Sequence, residues 1–340
     1  MDEVSTGGQA ASVGMASTDR VIGNSARLPR SRTGTFSPVM WCRFLDASVW
    51  DPDWIGAKHG HCLAGELAPK PDEFVLHTGQ RVELYSQSRN ASEDGDRRMP
   101  DAAGRIDGER AVRRRLTEIA AGLRSEVRGD NLVLHQVEQV GLRLSDGHPF
   151  RRIVAESVAL ARTLRGAHNF AAAVDYPAAA LHLMTENAPA AGRTLLVIGG
   201  GTLGRALAER GVATGYDRTL IVTRSPKRAR DSLRGPGAKA ISVCTPLRAR
   251  EALGSGSWDA AIATSGVDDL YRARILTWLD TPGCMSAVDL SSVPLRKATS
   301  SRCEHRAGPR LTTLIAQQNQ LVAEAARRVH RAIAEDFQEA

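Results

Sequence analysis

Apolar positions along the chain fall into distinct regimes. Residues 1–38 have no sustained period, are rich in Gly, Ser, Thr and Ala, and carry Arg27, Arg30 and Arg32, a composition that predicts a disordered basic tail. Two short apolar runs, Met40–Leu45 and Glu73–Leu76, then flank a loop with Trp50, Trp54 and His59-Gly60-His61-Cys62, and they predict strands of a small α/β unit. Ser86–Gly108 is polar and acidic without pattern, which predicts a surface loop. Helical spacing follows: Leu116, Ile119, Leu123 and Val127 share one face, Val154, Val158, Ala161 and Leu164 another, and Ala172–Met184 is alanine-rich. The Pro and Gly of Asn187-Ala188-Pro189-Ala190-Ala191-Gly192 mark a boundary, so residues 39–188 are expected to form an α+β domain.

The second half reads differently. Thr194–Ile198 is an almost wholly apolar run of strand length that ends in Gly199-Gly200-Gly201-Thr202-Leu203-Gly204, and Arg205–Ala208 continues in helix formers. Further β-runs follow at Thr219–Val222, Trp258–Thr264 and Met285–Leu290. Strand, glycine loop and helix in a βαβ context predict a Rossmann domain over 189–300: the first glycine permits the turn, the second admits a pyrophosphate, and the third lets helix and strand pack closely. The expected fold class is therefore α/β, an N-terminal α+β domain followed by a Rossmann domain. An NAD-selective domain places an acid after the second strand; here Thr223-Arg224-Ser225 is followed by Lys227 and Arg228, cations suited to a 2′-phosphate. The predicted cofactor is NADPH, held by Gly199, Gly201, Thr202, Leu203, Gly204, Thr223, Arg224, Ser225 and Arg228. Over 301–340, the residues Leu311, Leu314, Ile315, Leu321, Val322, Ala325, Val329, Ile333 and Phe337 form a stripe of period near 3.6. They predict one long final helix, packed on the Rossmann domain or paired with another copy.

Composition narrows the picture further. A formal net charge of +7 fits RNA or a phosphorylated cofactor as partner, while 4% aromatic residues argue against a stacking platform for single strands. Arg113-Arg114-Arg115 reads as a solvated helix face. The five cysteines, Cys42, Cys62, Cys244, Cys284 and Cys303, form no CxxC pair and imply neither a disulfide framework nor a zinc site. His59 and His61, without further ligands, make no metal site. No apolar run approaches the ~18–20 residues that span a bilayer and the first thirty lack a signal-peptide core, so the chain is expected to be cytoplasmic and free of membrane.

The order of these pieces over most of residues 39–337 resembles glutamyl-tRNA reductase, the NADPH enzyme at the start of tetrapyrrole (porphyrin) synthesis. That family's S-T-C-N-R-x-E-x-Y segment is similar to His77-Thr78-Gly79-Gln80-Arg81-Val82-Glu83-Leu84-Tyr85, and its H-L-x-x-V-x-x-G-L-D-S-x-V-x-G-E-x-Q-I-x-x-Q-V stretch to Arg115–Val137, with Gly122, Ser125 and Gly129 in register. Val288-Asp289-Leu290 with Val293-Pro294 is similar to a third family segment, and the final helix to its spinal helix. The resemblance implies an oxidoreductase that reduces an aminoacyl-tRNA or other activated acyl group to an aldehyde, with Thr78, Arg81 and Ser125 as substrate contacts; Arg81 can clamp a carboxylate or phosphate in bidentate fashion. Departures cut into that chemistry. The family's nucleophilic cysteine is Gly79, its histidine Arg115, its aspartate Arg124 and its substrate-contacting glutamine Leu132. Cys62, beside two histidines, is the substitute thiol the sequence offers. The chain also stops where the family continues into its dimerisation domain, so the family's V-shaped dimer is not expected. Two functions are therefore open: a divergent NADPH-dependent reductase, or a non-catalytic NADPH- and/or tRNA-binding paralogue.

Overall fold

The computed structural model describes residues 39–46, 69–78, 81–88, 99, 104–233, 236–264, 269–291, 303–305 and 308–338. The tail 1–38, the His59–Cys62 segment, Gly79 and Val293-Pro294 lie outside the described residues.

Four antiparallel strands open the fold: β1 (Val39–Asp46), β2 (Glu73–Thr78), β3 (Arg81–Ser88) and β4 (Gly104–Asp107), in the order β2-β3-β1-β4. Alternation places Met40, Cys42, Phe74, Leu76 and Tyr85 in one cluster with the helices α1 (Glu109–Ala120), α2 (Asn131–Arg143) and α3 (Arg151–Ala167). Trp41, Leu45, Leu84 and Met99 form a smaller cluster of their own. Two expectations need correction. β4 and the end of β3 fall in the stretch read as a surface loop: β3 buries the polar Ser86 there, and β4 is four residues long with Gly104 and Ile106 only half-buried, so no apolar rhythm shows. The helix drawn through Val127 ends at Ala120; Gly122 takes φ +81°, where an added Cβ would meet the Asp130 backbone nitrogen at 2.9 Å, so the chain turns there. Leu123 and Val127 lie in the turn between α1 and α2.

After α4 (Tyr176–Thr185), β5 (Thr194–Ile198), α5 (Thr202–Thr214), β6 (Arg218–Val222), α6 (Pro226–Ser232), β7 (Ile241–Cys244), α7 (Ala249–Leu253), β8 (Trp258–Ile262), α8 (Asp269–Leu279), β9 (Cys284–Asp289) and β10 (Cys303–His305) build a parallel sheet of order β10-β9-β8-β5-β6-β7. Numbered within this sheet alone, the order is 3-2-1-4-5-6, that of a dinucleotide-binding Rossmann fold. β5 and β8 are buried at every position, which is why they read as continuous apolar runs. The molecule is thus of the α/β class, with a Rossmann-type sheet in its second half.

The C-terminal stripe is corrected in a second way. It forms two helices, α9 (Pro309–Leu321) and α10 (Ala323–Asp336), broken at Val322. Leu311 and Ile315 of α9 join the parallel-sheet core, whereas Val322, Ala326, Val329, Ile333 and Phe337 close the core of the N-terminal layer. Apart from Leu321, which is exposed at the break, the stripe is therefore consumed inside the chain on both sides. α9 also ties down the α1–α2 turn: the Asn319 side chain accepts from Arg128 N at 2.8 Å and donates to Glu126 O at 2.7 Å.

Candidate functional site

Residues Pro38–Ala340 form one unit in their contacts, and a cleft of about 800 Å³ lies within it. One side comes from the parallel sheet and its helices: Gly201, Thr202, Leu203, Arg205 and Arg228, with Ala263, Thr264, Leu290 and Ser291 at the ends of β8 and β9. The other comes from the N-terminal layer: His77 and Thr78 at the end of β2, Ser125 and Asp130 of the α1–α2 turn, and the length of α2 to Arg143.

The glycine loop gives each glycine different surroundings. Gly199 has φ +119°, and a Cβ there would meet Ala263 O at 2.5 Å, so the turn out of β5 demands glycine. A Cβ on Gly204 would overlap the Gly199 carbonyl oxygen, which sets how closely α5 packs on the loop. Gly201 faces open space, and as N-cap of the 13-residue α5 it offers no side-chain acceptor to the first helical N–H groups. An open backbone at an uncapped helix start, on the cleft, fits the pyrophosphate of a dinucleotide. Beyond β6, Thr223 Oγ1 accepts from Ser225 N at 3.3 Å, Arg224 is exposed, and Ser225 and Arg228 line a smaller hollow whose edge residues Arg228 and Ser232 are shared with the cleft.

On the other wall, the turn carrying Ser125 and Asp130 is held by Arg165, a buried guanidinium that donates to Ala121 O at 3.2 Å, Gly129 O at 2.7 Å, Asp130 O at 3.0 Å and the Asn131 side chain. Asp130 caps α2 by accepting from Leu132 N at 2.8 Å. Burial nevertheless pushes its carboxyl up to about 6; the Leu132 N–H opposes that, Asp175 adds to it, and Arg165 and Arg81 oppose it. His77 is half-buried, and loss of water lowers its imidazole to about 4, so it is neutral near pH 7.

Of the predicted substrate contacts, Thr78 and Ser125 line the cleft, while Arg81 lies beneath it, 1% exposed. Its Nη2 donates to Arg124 O; its Nε and Nη1 have no hydrogen-bond partner among the described residues. Two of the positions where the sequence departs from the resemblance, Arg115 and Arg124, are occupied by internal pairs. Arg115, expected on a solvated face, is buried, with Nη2 2.7 Å from Glu83 Oε1 and Nε 3.1 Å from Oε2, its guanidinium 3.5 Å from the Phe44 ring centre. Burial disfavours its charge, but Glu83 outweighs burial and holds the guanidinium protonated. Tyr85 O–H donates to the same Glu83 at 2.5 Å, and Cys42 lies 3.8 Å from it. Burial first and the Glu83 charge second push the Cys42 thiol up, so this cysteine is no nucleophile. Arg124 pairs with Glu118 at 2.6 Å, and Leu132 puts an apolar side chain on the cleft.

The sequence reading missed His77, Asp130 and the cleft face of α2. Asp130 carried a signal, an N-cap acid just after Gly129; the neutral state of His77 depends on burial that no local pattern shows.

No protein-family model matches the chain. It is 27% identical over 241 residues to Protein nfe2 of Rhizobium meliloti, covering 68% of this chain and 75% of that protein. Among solved structures it is similar to glutamyl-tRNA reductase from Methanopyrus kandleri (17% identity, TM-score 0.42, 89% of this chain and 81% of that one). Shikimate dehydrogenase 1 from Peptoclostridium difficile gives 10% identity and a TM-score of 0.29 over 48% of this chain and 60% of that one. The fold itself rests on the strand order and the glycine loop, which place a dinucleotide-type loop and the Thr78–Ser125 wall on a single cleft.

Proposed function

We propose that the chain is a divergent NADPH-dependent reductase of the glutamyl-tRNA reductase type, acting on an activated acyl group, aminoacyl-tRNA included, to give an aldehyde. The observation that carries this reading is the shared cleft: Gly201–Leu203 and Thr78 with Ser125 face the same space. When bound, the dinucleotide supplies a hydride. The chain's own residues do the rest. Gly201, Thr202 and Leu203 present backbone N–H groups to the pyrophosphate, with Gly199 and Gly204 shaping the loop. Thr223, Arg224, Ser225 and Arg228 take the ribose end, where Arg228 and Arg224 select the 2′-phosphate. Thr78 and Ser125 orient the acyl group through their hydroxyls. Arg81 has its Nε and Nη1 without a hydrogen-bond partner among the described residues, donors for an anionic substituent. Neutral His77 adds a hydrogen-bonding ring, and the Asp130 carboxyl holds a proton up to about pH 6.

No described cysteine lines the cleft and position 79 is glycine, so the described residues offer no thiol to carry the acyl group. The internal pairs at Arg115 and Arg124 favour a second reading, a non-catalytic dinucleotide- and/or tRNA-binding protein. No described helix is long and apolar enough to cross a membrane. The test is loss of reduced-nicotinamide absorbance on mixing with glutamyl-tRNA, other aminoacyl-tRNAs and simple acyl thioesters, with a carbonyl reagent to trap the product. Oxidation matched by trapped aldehyde supports the reductase. NADPH binding without turnover over the whole panel supports the second reading.

A further inference from the structure

The cleft wall formed by α2 is not explained by the glycine loop or by Thr78 and Ser125. Of its cleft-lining residues after the cap, Leu132, Gln136, Gln139, Val140 and Arg143, spaced i, i+4, i+7, i+8 and i+11, form one stripe of the helix, with Val133 and His135 at its margins. The fully buried face lies beside it at Val133, Leu134 and Val137. From Asp130 to Arg143 the helix rises about 20 Å at 1.5 Å per residue, so this wall leads from the Thr78–Ser125 end to a point far from it. The stripe is rich in donors. Gln136 and Gln139 are neutral amides, and Arg143 has no hydrogen-bond or ion-pair partner among the described residues. The acid on the adjoining face, Glu138, is already held by Arg162 at 2.6 Å and lies 3.6 Å from His135. Across the cleft stand Arg228, exposed, Arg205, whose Nη1 donates to Gly200 O at 3.1 Å, and the acid Glu209, one turn on from Arg205. A cation in the last turn of a helix complements the helix dipole wherever it points. That role needs neither a cleft nor two glutamines on the same stripe.

We propose that the α2 stripe is a second wall of the dinucleotide site and that Arg143, supplied by the N-terminal layer, donates to a phosphate of the cofactor. The proposal rests on the reading of the cleft as an NADPH site. Two phosphate sources share the chemistry, the 2′-phosphate and the pyrophosphate. A guanidinium meets either with paired N–H donors, and the neighbouring glutamines hydrogen-bond the sugar hydroxyls. A cofactor bridging both walls would also fix the distance between the glycine loop and Thr78.

The experiment is equilibrium titration of NADPH and NADH by nicotinamide fluorescence with the full chain, Arg143→Gln, and Arg327→Gln as a charge control on an exposed α10 arginine that does not line the cleft. Arg143→Gln should weaken NADPH about tenfold, the scale of one charge-assisted hydrogen bond. If NADH affinity is unchanged, the contact is to the 2′-phosphate; if both fall together, it is to the pyrophosphate; Arg327→Gln changes neither. Wild-type preference for NADPH with Arg143→Gln within twofold of it for both dinucleotides overturns the proposal but leaves the NADPH site standing. Weakened binding of an aminoacyl-tRNA with unchanged dinucleotide affinity overturns it too. Failure of the wild type to bind either dinucleotide removes the underlying reading, and this one with it.

Discussion

The two walls of the cleft have diverged in opposite senses. On the parallel-sheet wall, Gly201 is open and α5 begins without a side-chain cap, so donors remain free for an anion. Behind the opposite wall, polar groups have turned inward: Glu83 is shared by Arg115, Tyr85 and Cys42, and Glu118 by Arg114 and Arg124. One wall is built to meet a ligand, and the support of the other is built to hold itself. The contrast teaches that one wall of a cleft can leave its donors open while the polar groups behind the other are spent on structural pairing. What remains of chemistry on that side, Thr78, Ser125, His77 and Asp130, is at the cleft edge.

The largest effect that would break this contrast concerns the buried pair. Arg115→Met should cost about 3–5 kcal/mol in urea unfolding, because the Glu83 carboxylate is left buried without its cation. Glu83→Leu combined with Arg115→Met should recover most of that loss. Dinucleotide affinity should stay within about twofold throughout, since the pair's stabilisation is confined to its own layer. A selective loss of NADPH binding in the folded single variant would show that the pair belongs to the site. Gly204→Ala comes next: its Cβ collides with the Gly199 carbonyl, so affinity for both dinucleotides should fall ~100-fold or more, close to 3 kcal/mol. Near-normal binding by calorimetry would place the ligand elsewhere.

A smaller effect sharpens the description of the substrate edge. Asp130 has its carboxyl raised to about 6 in the folded chain against an ordinary 3.8. Between roughly pH 4 and 6 the native state therefore binds more protons than the unfolded state, and wild-type stability falls as pH rises through that window. Asparagine keeps an N-cap acceptor. Asp130→Asn should thus be more stable than wild type at pH 7 by on the order of 1–2 kcal/mol, the gap closing towards pH 4. A variant less stable at pH 7 would mean that Arg165 and Arg81 hold the carboxylate charged. The smallest predicted change is cofactor selectivity: Arg228→Gln should weaken NADPH about tenfold and leave NADH unchanged. Equal weakening of both would move Arg228 to the pyrophosphate.

Legibility in the sequence followed burial. β5 and β8, buried throughout, declare themselves as apolar runs, and the glycine loop between β5 and α5 is local, so the Rossmann half could be read directly. β3 could not be read as a whole, because it buries the polar Ser86 and also Arg81 and Glu83, which meet Arg124 and Arg115 from elsewhere in the chain. Arg115 looked solvated for the same reason: Glu83 is 32 residues away. α2 was hidden by its polar cleft-lining residues, since Gln136, Gln139 and Arg143 narrow its buried apolar face to Val133, Leu134 and Val137. The broken final helix has no sequence marker; Gln320-Leu321-Val322-Ala323 contains neither Pro nor Gly.

The central claim is that the cleft holds NADPH against a wall that supplies substrate contacts but no described thiol. Titration of the intact chain with NADPH and NADH tests it most directly. The account predicts saturable binding with NADPH preferred about tenfold or more, on the strength of one arginine–phosphate contact. A preference for NADH, or no binding of either dinucleotide by a folded chain, would contradict it.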